Sequence, residues 1–136
     1  MPSKPTLVVV AAVVERDGAF LVTRRQPGVH LAGYWEFPGG KIHPGESDAD
    51  ALGRELREEL DVGVGPVDAG ARLLTKAHEY DDRIVELRFY RCGLIGTPRP
   101  MLGQQLRWVP RAELAELPFP PADAELIARL TTAEPA

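Results

Sequence analysis

The sequence predicts an α+β fold, a mixed α/β sandwich built as a single domain over residues 1–136. Three observations carry that expectation. Short β-branched apolar runs at residues 7–14 and 19–23 flank an Asp17-Gly18 turn signal and read as strands. Between Ser47 and Leu60 the apolar spacing changes to three and four residues, the period of an amphipathic helix. Strand-like runs then resume, and the chain closes on a second helical stretch.

In chain order, residues 7–14 read as a buried strand that forms a hairpin with residues 19–23. Residues 26–33 contain a proline and two glycines and read as a loop. Tyr34-Trp35-Glu36-Phe37 alternates as a short strand and stops at Pro38-Gly39-Gly40, read as a sharp turn, with another turn at Pro44-Gly45. Ala49, Leu52, Leu56 and Leu60 form the apolar stripe of the helix. Ser47 is its expected N-cap, and Asp48 and Asp50 favour its first turn. Residues 69–77 and 84–94 read as strands joined by a polar connection at 79–83, and residues 106–109 as a further short strand. A helical turn at 111–117, a proline-stiffened connector at 118–121, a final helix at 123–130 and a frayed tail at 131–136 complete the chain.

Composition narrows the function. A net charge of −4 argues against a nucleic-acid polymer as partner, since such binders carry a basic face. It leaves room for a small anion held in a local cleft. The run at residues 6–14 is too short for a membrane span and ends in Glu15-Arg16-Asp17 rather than a small-residue cleavage site. With one cysteine, Cys92, no internal disulfide is expected, and the residue reads as a small buried apolar group. The expected location is cytoplasmic, as a monomer or homodimer.

The helix carries an unusual charge pattern. In Arg54-Glu55-Leu56-Arg57-Glu58-Glu59-Leu60, Glu55, Glu58 and Glu59 stand three and four residues apart on one side. Like charges at that spacing repel by a few tenths of a kcal/mol per pair, roughly. Taken alone, this is a solvated face relieved by Arg54 and Arg57. Glu46 and the Gly39-Gly40 pair just upstream change the reading. Glycines let backbone approach a ligand closely, and carboxylates plus an exposed carbonyl make a hard oxygen environment suited to magnesium.

Gly40, five residues, Glu46, seven residues, then Arg54-Glu55-Leu56-x-Glu58-Glu59 resembles the box that marks Nudix hydrolases. The resemblance extends from Val8 to Leu130. It implies a mixed β-sheet sandwiched between helices and a magnesium-dependent pyrophosphohydrolase, with manganese able to substitute. By the same resemblance Glu55, Glu58, Glu59 and the Gly39 carbonyl hold metal. Arg54 orients a glutamate, Glu46 and Gly40 support the box, and Glu58 or Glu55 serves as general base. The sequence departs from the family twice. Asp61 replaces a glycine at the helix exit, and Leu102-Gly103-Gln104 lacks the acid expected on that loop.

Residues 35–41 and 118–123 resemble the MutT branch, which cleaves nucleoside triphosphates. Position by position, Arg25 and His30 match substrate contacts, Glu36 and Phe37 flank the base, and Arg83 falls near the base pocket. Asp123 resembles the cytidine-nucleotide pyrophosphohydrolase branch, and a carboxylate pairs naturally with the exocyclic amine of cytosine. The expected substrate is therefore a cytosine nucleotide such as dCTP, CTP or a modified dCTP, with 8-oxo-dGTP as the alternative. Asp123 has a plainer reading as the N-cap of the last helix, and Trp35 and Trp108 read as core. A rival of another class is a nucleotide-sensing module that no longer cuts. A third reading keeps the hydrolase but changes the substrate to ADP-ribose, a dinucleoside polyphosphate or an RNA 5′ end.

Overall fold

A computed structural model describes residues 4–28, 32–65, 67 and 71–132. Strand β1 (Thr6–Val13) lies at the centre of a mixed sheet of order β5-β1-β8-β7. It pairs parallel with β8 (Ile84–Arg91) and antiparallel with β5 (Gly39–Lys41), and β7 (Arg72–Glu79) closes the far side. A second sheet joins β10 (Leu106–Pro110), β3 (Ala19–Arg24) and β2 (Glu15–Arg16), with β4 (Trp35–Glu36) paired to β3. β6 (Gly63–Val64) and β9 (Leu94–Ile95) form a small ribbon.

Two helices cover the sheets. Helix α1 (Asp48–Leu60) packs Ala51, Leu52, Leu56 and Leu60 against Val10, Ala12, Val14 and Leu21. Helix α2 (Ala124–Thr132) packs Leu126, Ile127 and Leu130 against Ala11, Val13, Phe20, Val22 and Phe89. The alternation along β1 sends odd residues to one helix and even residues to the other, which is the physical basis of the sandwich. Among the described residues no helix is long and apolar enough to cross a membrane.

Ser47 caps α1 as expected, accepting from the Asp50 N–H at 3.1 Å. Asp61 sits just past the helix end at φ 56°, a left-handed conformation that Asp tolerates better than most residues with a Cβ. Its carboxylate is paired with Arg99 at 2.5 Å, which further ties down this exit.

The structure corrects four local expectations. The hairpin at Asp17-Gly18 joins β3 to β2 only; the run at 7–14 leaves for the other sheet after a single bond, Leu21 N–H to the Val14 carbonyl at 3.0 Å. That run is fully buried only from Val10 onward, because Leu7 and Val9 line an open cleft. Gly39-Gly40 is strand, not a turn. The last helix begins at Ala124, preceded by a 3-10 turn at Pro121–Asp123.

Candidate active site

The glycine pair explains itself through contact. A Cβ on Gly39 would stand 1.9 Å from the Val10 carbonyl oxygen, and one on Gly40 would stand 2.4 Å from Cδ of Glu55. The requirement is close approach rather than backbone bending. The Ala12 N–H bonds the Pro38 carbonyl and the Ile42 N–H bonds the Val8 carbonyl, so the Val10–Gly40 pair lies on the bonded rung between them. The N–H and C=O of Gly39 therefore point away from β1, along an edge that no other strand covers among the described residues. Gly39→Ala should cost about 3 kcal/mol or more, since backbone on β1 cannot yield as a side chain would. Chemical denaturation checks this, and an unchanged midpoint would refute the packing argument.

Helix α1 brings its acids to this edge, and Arg54 organises them. Its guanidinium donates to Glu46 at 2.7 and 3.0 Å, to Glu55 at 2.9 Å, to Glu58 at 3.4 Å and to the Lys41 carbonyl at 2.9 Å. Glu46 also accepts from the His43 N–H at 2.8 Å, and its bonds from Arg54 hold its carboxyl down to about 2. Arg57 is exposed and, among the described residues, has no ion-pair partner, so Arg54 alone relieves the repulsion.

Glu59 is the outlier. Its Oε2 is buried and has no hydrogen-bond partner among the described residues. Burial, then the charges of Glu36, Glu55 and Glu58, push its carboxyl up to about 8, against a smaller opposing pull from the Gly39 N–H. Glu55 is largely covered and Glu58 is 58% exposed. The three carboxylates share a helix side as expected but do not converge: among the described residues, no three acid, imidazole or thiol groups stand close enough to hold an ion as they are. The donor set nevertheless fits a hard divalent cation. It is all oxygen, and it includes an orphaned buried carboxylate oxygen beside two further acids.

Next to this edge opens a cavity of about 370 Å³. Its apolar wall is the α2-facing side of the main sheet, with Leu7, Val9, Val85 and Leu87, and Phe37 closes one end. Phe37 stacks on Phe119 at 5.4 Å, with 23° between the rings. The polar groups are few: Arg25 with Glu36, paired at 2.7 Å, then Lys41, Tyr80, Arg83 and Asp123. The Arg83 Nε is buried without a partner among the described residues, and its guanidinium lies 5.9 Å from the Tyr80 ring.

Asp123 is 5% exposed and accepts no hydrogen bond among the described residues. Burial first, and the nearby Glu36 second, push its carboxyl up to about 7. The plain reading as a helix N-cap is not what the structure shows. Asp123 lies within the 3-10 turn and faces the cavity. Burial likewise raises Glu36 against the lowering effect of Arg25.

Arg25, Glu36, Phe37, Arg83 and Asp123 thus line one cavity together with Gly39 and Gly40; the Glu55 carboxyl stands against Gly40, and Glu59 shares a neighbouring cavity with Arg25 and Glu36. His30 lies outside the described residues. Trp35 is core as expected, and Trp108 packs at the edge of the other cluster. Sequence reasoning missed Phe119 and Tyr80. The only available signal was an aromatic in the proline-rich connector and one at the β7–β8 turn.

The chain is similar to known proteins over most of its length. A family model described as NUDIX domain matches residues 9–129. The chain is 38% identical over 120 residues to a CTP pyrophosphohydrolase of Escherichia coli, covering 88% of this chain and 87% of that one. It is also 38% identical over 130 residues to an 8-oxo-dGTP diphosphatase of Haemophilus influenzae, covering 93% of each. The solution structure of the E. coli ORF135 protein superposes with a TM-score of 0.81 at 36% identity, covering 98% of this chain and 96% of that one.

Proposed function

The chain belongs to the NUDIX domain family, and from that premise we propose a nucleoside triphosphate pyrophosphohydrolase that releases monophosphate and pyrophosphate and prefers cytosine nucleotides. The relatives' names support the triphosphate class. The observation that carries the base preference is Asp123, a buried carboxyl held near neutrality at the end of an apolar cavity.

The cytosine edge offers one amine donor beside one ring-nitrogen acceptor. A carboxyl with its proton matches both, accepting through C=O and donating through O–H, whereas a carboxylate only accepts. Phe37, which lines the cavity and is braced by its stacking on Phe119, supplies an aromatic wall for the base. The second reading, an oxidised guanine nucleotide, is favoured by a second carboxylate, Glu36, on the same cavity, since guanine presents adjacent N–H donors.

For the metal, Glu55, Glu58, Glu59 and the Gly39 carbonyl are the residues that would hold magnesium, or manganese in its place. When bound, the ion supplies charge neutralisation for the polyphosphate and acidifies water. Arg54 positions Glu55 and Glu58 through the bonds above, and Glu46 fixes Arg54 in turn. Arg25 is held by Glu36 at the boundary between the base cavity and the acids, where a guanidinium meets phosphate. Water adds to the β-phosphorus, the bond from that phosphorus to the α–β bridging oxygen breaks so that the oxygen leaves on the monophosphate, and a glutamate takes the proton from the water. Glu58, the most exposed of the three, is our choice for that role ahead of Glu55. The intact acid set argues against a sensing module that binds without cutting.

A side-by-side comparison of kcat/KM for dCTP, 5-methyl-dCTP, CTP and 8-oxo-dGTP tests the reading. A cytosine nucleotide should lead. If 8-oxo-dGTP leads by about tenfold, worth ~1.4 kcal/mol in transition-state binding, the base assignment is wrong.

A further inference from the structure

Arg25 and Glu36 form a partition. On one side is the base cavity; on the other lies a smaller cavity of about 140 Å³ that contains Glu59 and is walled by Arg24, Gln26 and Gln104. This second space runs on into a third, of about 350 Å³, that shares Arg24, Arg25, Gln26 and Gln104 with it and adds Gln105. The third cavity is lined by guanidinium and carboxamide groups, and among its described lining residues there is no carboxylate.

The two neighbouring arginines have different surroundings. Arg25 is ion-paired with Glu36. Arg24 donates to two neutral acceptors, the Gly33 carbonyl at 3.1 Å and Gln105 Oε1 at 3.5 Å, and among the described residues no carboxylate offsets its charge. Its backbone N–H is tied to the Gln105 carbonyl at 3.0 Å, so the guanidinium is held on a fixed strand end. The carboxamides are oriented too. Gln26 donates to the Leu102 carbonyl at 2.7 Å and Gln104 to the Glu59 carbonyl at 3.1 Å. A fixed, uncompensated guanidinium in a pocket without acids is an anion site, and guanidinium matches phosphate geometry in two parallel bonds.

We propose that the Arg24–Gln105 cavity is the subsite for the terminal phosphate of the substrate and, after cleavage, for the pyrophosphate product. The inference rests on the pyrophosphohydrolase reading and extends it. The base lies in the Asp123 cavity, the scissile region beside Glu59, and the far end of the polyphosphate against Arg24. Arg24 then selects triphosphates over diphosphates by charge at the chain's end, independently of the base.

Two variants test this: Arg24→Gln and Arg24→Lys. Arg24 is exposed, so the fold should survive each change. Arg24→Gln should lower kcat/KM for a nucleoside triphosphate about tenfold while changing the matching diphosphate less than about twofold, with Arg24→Lys between. The inhibition constant of pyrophosphate should rise by a similar factor, and that of the monophosphate should stay fixed. Equal losses on triphosphate and diphosphate, or an unchanged pyrophosphate constant, would overturn the proposal. If the wild-type protein cuts no nucleotide, the pyrophosphohydrolase reading fails first. Calorimetric titration with magnesium pyrophosphate then decides the subsite: binding weakened about tenfold by Arg24→Gln supports it, and equal binding by both proteins removes it.

Discussion

Glu59→Gln will abolish turnover and leave the fold intact. The effect should be a loss of roughly a thousandfold or more in kcat, about 4 kcal/mol of transition-state stabilisation. Two features of the structure make the two halves of this expectation separable. Glu59 carries a buried oxygen without a protein partner, beside Glu36, Glu55 and Glu58. Its carboxyl is raised to about 8, so near neutral pH the metal-free protein already holds it mostly protonated. Glutamine copies that neutral shape and removes only the ability to become an anion for a cation. The midpoint of thermal unfolding without metal should therefore stay within a few degrees of wild type. Stopped assays for released pyrophosphate, run beside thermal melts, check both halves. A variant retaining half its activity refutes the role; one that fails to fold refutes the packing argument.

Asp123→Asn should have the second largest effect, and it should depend on pH. The sign follows from the direction of the shift. The folded carboxyl titrates near 7, above the ordinary 3.8, so the folded state holds the proton more tightly than the unfolded chain. The associated stability is fully present below about pH 4 and is lost as pH rises through 7. Asparagine has no such proton, so the stability of the variant relative to wild type should rise between pH 4 and pH 8. The change is on the order of 3 kcal/mol, read by urea unfolding at fixed temperature. A difference independent of pH would show that Asp123 is ionised in the folded protein at all these values.

The same titration bears on the base. Above pH 7 the loss of the carboxyl proton removes the donor aimed at the ring nitrogen of cytosine and favours a ring with two N–H groups. The ratio of cytosine to oxidised guanine kcat/KM should fall by up to about tenfold from pH 6 to pH 8, a hydrogen bond's worth near 1.4 kcal/mol. In Asp123→Asn the ratio should be flat, because the amide keeps a donor and an acceptor throughout. Tyr80 and Arg83 face the same cavity, and burial first and Asp123 second push the Tyr80 hydroxyl above its ordinary value, so it keeps its proton across this range.

Much of the site was legible because it is local. Glu46, Arg54, Glu55, Glu58 and Glu59 fall within fourteen consecutive residues, from Glu46 to Glu59, and helical spacing alone sets their common side. The N-cap at Ser47 and the left-handed exit at Asp61 are equally local and were found as expected. The Gly39-Gly40 pair was recognised but misread. A glycine needed for close approach to another strand looks the same in sequence as one needed for a turn. Asp123 is buried and lines the cavity, and its alternative as an N-cap fails because the chain makes a 3-10 turn first, which depends on the flanking prolines and on burial against the sheet.

By itself, the sequence determined the acidic helix, its caps and the glycine pair upstream, since each depends on neighbours a few residues away. Only the tertiary structure decided which carboxylates are buried and raised, that Asp123 shares a cavity with Arg25 and Glu36, and that Arg24 lacks a carboxylate among the described residues. Those properties arise from desolvation and from distances between groups tens of residues apart. Spacing along a chain cannot encode them until the sheet has brought the groups together.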